Sequence, residues 1–396
     1  MLTGHAFEAL LAIATLLALL YLLQMGGFGL ATWRARYRFD RAFRPTVTVL
    51  VAARNEADKI ADCLRSLLAL RYPSHLLQVI VIDDLSSDGT AAIVRRFARR
   101  NPHLRLLTAR PSRDHLRGKA SALAQGIEAS TGEILLITDA DCQVPPGWVE
   151  ETVKYYADPT VGVVAGFVRL SGDGWFARLQ ALDWFGELST AAAAMRLGFL
   201  ITAVGCNLSV RRAAYDAIGG YRKLPFSLIE DYILVRGIVS RTSYRARYPL
   251  DAGTIVTSLP CASAAELHRQ RKRWFLGARQ MHRSNFVLYL VPYAFHAALV
   301  ACVVAGAATG HVPWWPLFGK VVADFLLIAP ALREARAFPA LTALLPFELG
   351  FTFYILFYPL ETVLGRRVVW KGRVFSPCED VAETTTPAPV CLSPSE

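Results

Sequence analysis

Two aspartates separated by one alanine, Asp139 and Asp141, follow the apolar run Ile134-Leu135-Leu136-Ile137 and precede the pair Pro145-Pro146. The run has the composition of a buried strand and the prolines force a turn, so both acids fall at a strand's mouth. Alternate residues of an extended segment point the same way, and the small Ala140 leaves room for a ligand between them. Two unneutralised carboxylates at a buried strand end are costly, and a divalent cation carrying phosphates would stabilise them. The competing reading is local, because aspartates often cap a turn or the start of a helix. A two-acid pattern alone is weak evidence, so what matters is what else the chain delivers to the same place.

The elements around the pair answer that question. Residues 46–52 are β-branched and apolar enough for a buried strand, and Ile60, Cys63, Leu64, Leu67 and Leu68 then recur at helical spacing. A second buried-strand run, 79–82, ends in Asp83-Asp84, and Ser86, Ser87, Asp88 and Gly89 supply turn and cap chemistry before a helix through Phe97. A third strand spans 104–108, a helical face of Ala120, Leu123, Ala124 and Ile127 follows, and the fourth strand starts at Glu133. Strands alternating with helices predict right-handed crossovers and a mostly parallel α/β sheet covered on both faces. Ligands in such sheets lie at the carboxyl ends of the strands, which is where Arg54, Asn55, Glu56, Asp83, Asp84, Asp139 and Asp141 all fall. Further on, the sequence predicts a strand over 161–168 and a helix over 175–196, with Trp184 and Phe185 as packing residues. Gly205-Cys206-Asn207 punctuates the chain, Glu230-Asp231 opens a helix over 232–239, and 266–279 is an amphipathic segment rich in Arg, Lys and His.

The composition sets the surroundings. With 54% hydrophobic residues and positive mean hydropathy over 396 residues, the chain is too apolar for an ordinary soluble protein. Residues 9–33 carry no charge and are long enough to cross a bilayer, and no basic segment precedes them, which favours a retained anchor over residues 1–33 rather than a signal peptide. Arg34, Arg36, Arg38, Arg41 and Arg44 follow directly, so the positive-inside rule places the next domain, 45–260, in the cytoplasm. The 7 cysteines are scattered, without metal spacing, and read as reduced thiols. The net charge of +11 suits anionic lipid headgroups, and no basic helix interleaved with stacking aromatics points to nucleic acid. A second apolar region spans 284–364, with one clear segment near 286–308 and two weaker ones near 317–332 and 340–364, interrupted by Lys320, Asp324 and Glu348. Lys320 and Asp324 are placed to pair on a helix. One anchor plus three spans would return the tail outside, whereas Arg366, Arg367, Lys371 and Arg373 favour the inside, so one weak segment is expected to be re-entrant or interfacial. The last residues, rich in Pro and Thr, read as disordered.

The ordered set of motifs resembles the membrane-bound glycosyltransferases of family 2, a group with cellulose, chitin and hyaluronan synthases and ceramide glucosyltransferases. The matching segments are Ala52-Ala53-Arg54-Asn55-Glu56, Val81-Ile82-Asp83-Asp84 with Ser86, Asp88, Gly89 and Thr90, and Gly118-Lys119 with Ala122-Leu123. Asp139-Ala140-Asp141, Gly205 with Asn207, Glu230-Asp231 and Gln270-Arg271-Lys272-Arg273-Trp274 complete the series, which covers residues 45 to about 280. The resemblance implies a GT-A fold that binds a nucleotide-sugar, usually a uridine diphosphate sugar, with Mg²⁺ or Mn²⁺, and transfers the sugar with inversion. Carried over by position, Asp84 would bond the base, with Ala53 and Glu56 lining the nucleoside and Lys119 near the nucleotide. Asp139 would sit by the ribose and diphosphate and Asp141 would ligate the metal, Asp139 being able to share in it. Asp231 matches the general base, with Glu230 beside it, and Gln270, Arg273 and Trp274 match residues that hold the diphosphate and acceptor sugar. Asn207 is a further candidate for substrate binding. Arg54 stands where some members carry an aromatic that stacks on the base, and a guanidinium can stack as well.

These residue types suit the chemistry independently of the resemblance, since glycosyl transfer needs a stabilised leaving group and a base for the acceptor hydroxyl. The expectation is an anchored enzyme that moves one sugar onto a lipid or lipid-linked acceptor at the cytoplasmic leaflet. Two alternatives remain open: a processive polysaccharide synthase, which could gain a channel through a membrane partner subunit, and an inactive scaffold that keeps the nucleotide pocket.

Overall fold

The structure is a computed structural model that describes residues 4–112, 115–310, 312–364, 368–370 and 373–375. Arg366, Arg367, Lys371 and the Pro- and Thr-rich end lie outside the described residues.

A long apolar helix, α1 (Gly4–Trp33), leads into alternating strands and helices: β1 (Val47–Ala53), α2 (Ile60–Leu68), β2 (Leu77–Asp83), α3 (Thr90–Ala98), β3 (Leu104–Thr108), α4 (Gly118–Glu128) and β4 (Ile134–Asp139). These strands are parallel, as the alternating pattern predicts. After α5 (Trp148–Val153) come β5 (Val161–Ala165), β6 (Val168–Leu170), α6 (Trp175–Arg196), β7 (Leu208–Arg211), α7 (Arg212–Ala217), α8 (Glu230–Arg241), β8 (Arg245–Arg247) and β9 (Val256–Ser258). The seven-stranded sheet has the order β3-β2-β1-β4-β7-β5-β8, with β7 antiparallel to both β4 and β5. Val49, Leu50, Val51, Leu135 and Leu136 are fully buried, which fits strands covered on both faces.

The strand ends are flush. Ala52 pairs with Ile82 on one side and with Asp139 on the other, so the loops after β1, β2 and β4 open at one edge, where the strand order reverses about β1. The single strand expected over 161–168 is two: Gly166 and Phe167 separate β5 from β6, which pairs with β9 in a small second sheet. The cause is Asn207, whose side chain packs on Gly166 so closely that a Cβ there would lie 2.2 Å from it.

The amphipathic segment forms α9 (Ala264–Ala278), started by the Ser263 hydroxyl, which accepts from the Glu266 amide. Three apolar helices follow: α10 (Val287–Thr309), α11 (Trp314–Glu334) and α12 (Leu344–Leu364). With α1, four helices are long and apolar enough to cross a membrane. The helix α1 packs on α10 and α11. Its Gly29 lies against α11, where a Cβ would stand 2.1 Å from the Leu326 carbonyl oxygen.

The charges that interrupt these helices meet one another. Lys320 Nζ donates to Asp324 at 2.9 Å and to Glu348 on α12, and the Tyr21 hydroxyl of α1 donates to Asp324. All three ionisable residues are buried, so they face one another rather than an apolar surrounding. Just before α12, Thr342 accepts a 2.8 Å bond from Arg178 of α6, and near its end Tyr358 lies 3.1 Å from the ring of His268 on α9. A short hairpin, β10 (Val368–Trp370) with β11 (Arg373–Phe375), follows, and β10 also packs on α9. Both flanks of α12 therefore touch helices of the sheet-bearing unit.

Candidate active site

The two loops after β1 and β2 are knitted into one wall. The Asn55 amide donates to Ser86, the Asn55 side chain accepts from the Ser87 amide at 2.9 Å, and the Glu56 amide donates to Thr90 at 2.8 Å. Asn55 and Leu85 both adopt left-handed backbone, at φ 53° and 56°, a strained conformation for such residues that these bonds hold in place. The Arg54 guanidinium donates to the Asp84 carbonyl at 2.7 Å, so it covers the mouth of β2. Ala53, Arg54, Glu56 and Asp84, the residues expected around the base, line one cavity.

At the mouth of β4, Asp139 and Asp141 line the same cavity with Ala140 between them. Lys119, one residue inside the start of α4, places Nζ 2.6 Å from Asp139 and 3.2 Å from Glu230. Its charge is strongly favoured there: Asp139, Glu230 and Asp231 together outweigh the cost of burial and hold the ammonium well above the usual lysine range. Because β7 runs antiparallel to β4, the segment before it returns beside Asp139, and Thr138 donates to the Cys206 carbonyl. This puts the Gly205 amide 2.7 Å from Asp231 Oδ2. Asp231 Oδ1 accepts from the Tyr232 amide at 2.8 Å, so both oxygens are fixed. A Cβ on Gly205 would lie 2.9 Å from Lys119 Nζ and 3.2 Å from Asp231, so a larger residue there would displace the lysine from this close approach. Burial, followed by the charge of Glu230, raises the Asp231 carboxyl to about 6, with Lys119 opposing. Glu230, expected beside Asp231 in the chemistry, lines the cavity and forms an ion pair with Lys119.

The third wall is α9. Gln270, Arg273 and Trp274 all line the cavity, and Arg273 donates to the Leu228 carbonyl at 2.9 Å. The Gln270 side-chain oxygen is buried and has no hydrogen-bond partner among the described residues, which leaves it for a ligand. Trp274 is gripped between Trp184, edge-on at 5.3 Å, and the Arg271 guanidinium, 4.2 Å above its ring.

Two expectations are corrected here. Asn207 does not line the cavity: it is 4% exposed, accepts from the Trp148 indole at 3.0 Å and donates to the Phe167 and Thr254 carbonyls at 2.8 Å each. It serves the junction of the two sheets. An amphipathic helix rich in Arg suggests exposed cations, yet Arg271 is 0% exposed, paired with Asp183 and 3.9 Å from Glu187. Those two acids, one turn apart on α6, line the cavity and were missed. Their only signal in the sequence is a four-residue spacing within an aromatic helix.

The cavity measures about 1060 Å³ and continues past Asp231 between the apolar helices, where Tyr289, Tyr293, Phe347, Phe351 and Tyr354 form its walls and Tyr21 and Asp324 its far end. Among the described residues no group of three or more His, Cys, Asp or Glu side chains could hold a metal by itself. Two carboxylates alone fit a hard divalent cation such as Mg²⁺ or Mn²⁺, which binds through one or two acids and completes its shell with substrate phosphates and water.

The class the fold defines is an α/β protein with a mostly parallel sheet, acids at its switch point and a cavity that reaches among apolar helices. Family models match the chain as glycosyl transferase family 2 over residues 48–219 and as glycosyl transferase family group 2 over residues 134–358. The chain belongs to this family, and its fold is GT-A with N-terminal and C-terminal apolar helices. It is 31% identical to a beta-monoglucosyldiacylglycerol synthase of Trichormus variabilis over 62% of this chain and 52% of that one. It is 30% identical to an N-acetylglucosaminyltransferase of Rhizobium meliloti over 69% of this chain and 68% of the other. The chain spans 52% to 63% of the length of the first curated relatives it matches. A mannosyltransferase from Pyrobaculum calidifontis, solved with GDP-Man and Mn²⁺, superposes with a TM-score of 0.58 at 27% identity, over 87% of this chain and 97% of that chain.

Proposed function

We propose that this protein is a membrane-embedded inverting glycosyltransferase that moves one sugar from a nucleotide-sugar to a hydroxyl of a lipid or lipid-linked acceptor. One observation carries the reading: a single cavity runs from Asp139, Asp141 and Asp231 into an aromatic cleft between apolar helices, so a soluble donor and an amphiphilic acceptor can meet within it. The relatives' names, a glucosyldiacylglycerol synthase among them, support a lipid acceptor. The positive-inside rule assigns the sheet-bearing domain to the cytoplasm.

In this reading the loops after β1 and β2 bind the base and ribose, with Arg54, Glu56 and Asp84 around them. Asp139 and Asp141 would hold Mg²⁺ or Mn²⁺, and the cation would neutralise charge that develops on the departing diphosphate. Lys119 and Arg273 add cationic charge beside the phosphates, and Gln270 and Trp274 border the sugar. Asp231 takes the proton of the acceptor hydroxyl as its oxygen bonds to the anomeric carbon, and the sugar–phosphate bond breaks with its electron pair leaving on the nucleotide diphosphate. Attack opposite the leaving group inverts the anomeric centre.

The test is to incubate the full-length protein in bilayers with radiolabelled UDP- and GDP-sugars, then extract the lipids. Label in a lipid of single-transfer size is expected. Label confined to high-mass polymer would make the protein a processive synthase, and no transfer from any donor would leave the scaffold reading.

A further inference from the structure

Resting on the functional reading above, we propose that Glu187, oriented by Arg271 and Asp183, is a specificity-determining residue that binds a second hydroxyl of an uncharged acceptor headgroup and excludes phosphate-bearing acceptors. The geometry comes from two helices. Asp183 and Glu187 stand one turn apart on α6, on the wall that faces the cavity beyond Asp231. Behind them Arg271 of α9 is fully buried and donates to Asp183, and its other guanidinium nitrogen lies 3.9 Å from Glu187. That distance is an ion-pair contact rather than a hydrogen bond, and Glu187 makes no hydrogen bond among the described residues. Its side chain is 32% exposed and lines the cavity, so its oxygens are left to accept from a ligand.

The surrounding charge selects the ligand. Asp183, Glu187 and Asp231 line the cavity, Arg271 is buried behind the first two, and Arg273 is held to the Leu228 carbonyl and acts on Asp231 rather than on Glu187. A phosphate placed there would meet carboxylates, whereas a hydroxyl donates to them. The base argues the same way. A phosphate oxygen is already an anionic nucleophile, but a hydroxyl must lose its proton as it attacks, and Asp231 is fixed by two amides for that task. In the transfer the hydroxyl next to the reacting one bonds Glu187, the reacting oxygen gives its proton to Asp231, and the nucleotide diphosphate leaves with the electrons of the broken bond.

Purified full-length protein in nanodiscs would be given the active donor with two acceptors of matched mole fraction: a monoglycosyl diacylglycerol, whose sugar carries neighbouring hydroxyls, and a polyprenyl phosphate. Sugar is expected on the neutral lipid, with at least a ten-fold preference in kcat/KM. Glu187→Leu should raise the acceptor KM ten-fold or more, with a smaller change in kcat and less than a two-fold change in donor KM. Glu187→Gln, which can still accept from a hydroxyl, should recover most of that loss, and Glu187→Lys should narrow the preference against the phosphate. Equal or better use of the polyprenyl phosphate by the native protein overturns this inference alone. So does an unchanged acceptor KM in a Glu187→Leu protein that melts within a few degrees of the native one. Polymer with no lipid product overturns the functional reading together with it.

Discussion

Asp231 combines fixed geometry with a perturbed carboxyl, and the proposed role as general base makes a prediction from both. A base works only when deprotonated, so kcat/KM is expected to fall as pH drops through about 6, where burial and Glu230 have raised this group, and to level off above it. Asp231→Asn should lower kcat by roughly 10²–10⁴-fold and abolish that acidic limb, as a pH–rate profile would show. Asp141→Asn tests a different function: it should weaken activation by Mn²⁺ by at least ten-fold, with the effect read from metal titrations at fixed donor. The positions of Asp83, Asp84, Asp139 and Asp141 were legible because these acids close apolar runs, which locates strand ends without any structure. Asn207 misled because a polar residue after a glycine at a turn has the same appearance whether it binds a ligand or three backbone and side-chain partners. Asp183 and Glu187 were invisible because their meaning depends on Arg271, 88 positions from Asp183, which no local pattern reveals.

At the scale of elements, α6 and α9 are linked by an ion cluster around the buried Arg271. Removing Arg271 would leave Asp183 and Glu187 facing each other without their cation, so Arg271→Met is expected to cost about 3–5 kcal/mol, seen as a lower melting temperature. The apolar helices repeat the arrangement with Lys320, Asp324, Glu348 and Tyr21. Lys320→Met should destabilise by a similar amount, about 3–5 kcal/mol, and a combined Lys320→Met, Asp324→Leu, Glu348→Gln protein should regain much of the loss, because replacing a whole buried cluster is far cheaper than breaking it. Thermal unfolding in detergent checks both. The Lys320–Asp324 pair was readable from a spacing of four, whereas Glu348 needed the fold to bring α12 alongside. The burial of Arg271 was unreadable, since amphipathic periodicity describes a helix face and not which neighbour covers it.

For the molecule as a whole, the sequence left a conflict between the number of apolar segments and the basic residues after the last one. The flanks of α12 offer a resolution, since Thr342 bonds Arg178 and Tyr358 meets His268, both on helices of the sheet-bearing unit. A helix with both ends on one side does not cross. We therefore expect three crossings, by α1, α10 and α11, and a C-terminus on the same side as the sheet. Reporter fusions after residue 375 and after residue 310 should give opposite compartments, and matching signals would refute the scheme.

The cavity that joins the aspartates to the aromatic cleft also determines how this enzyme should be measured. An acceptor that reaches Asp231 from between helices arrives by two-dimensional diffusion, so its saturation depends on its mole fraction in the bilayer and not on its amount per litre. Diluting the acceptor with inert lipid at constant bulk concentration should slow the reaction, and adding more vesicles of the same composition should not. The product returns to the same sheet of lipid, which makes the order and thickness of the host membrane part of the turnover number.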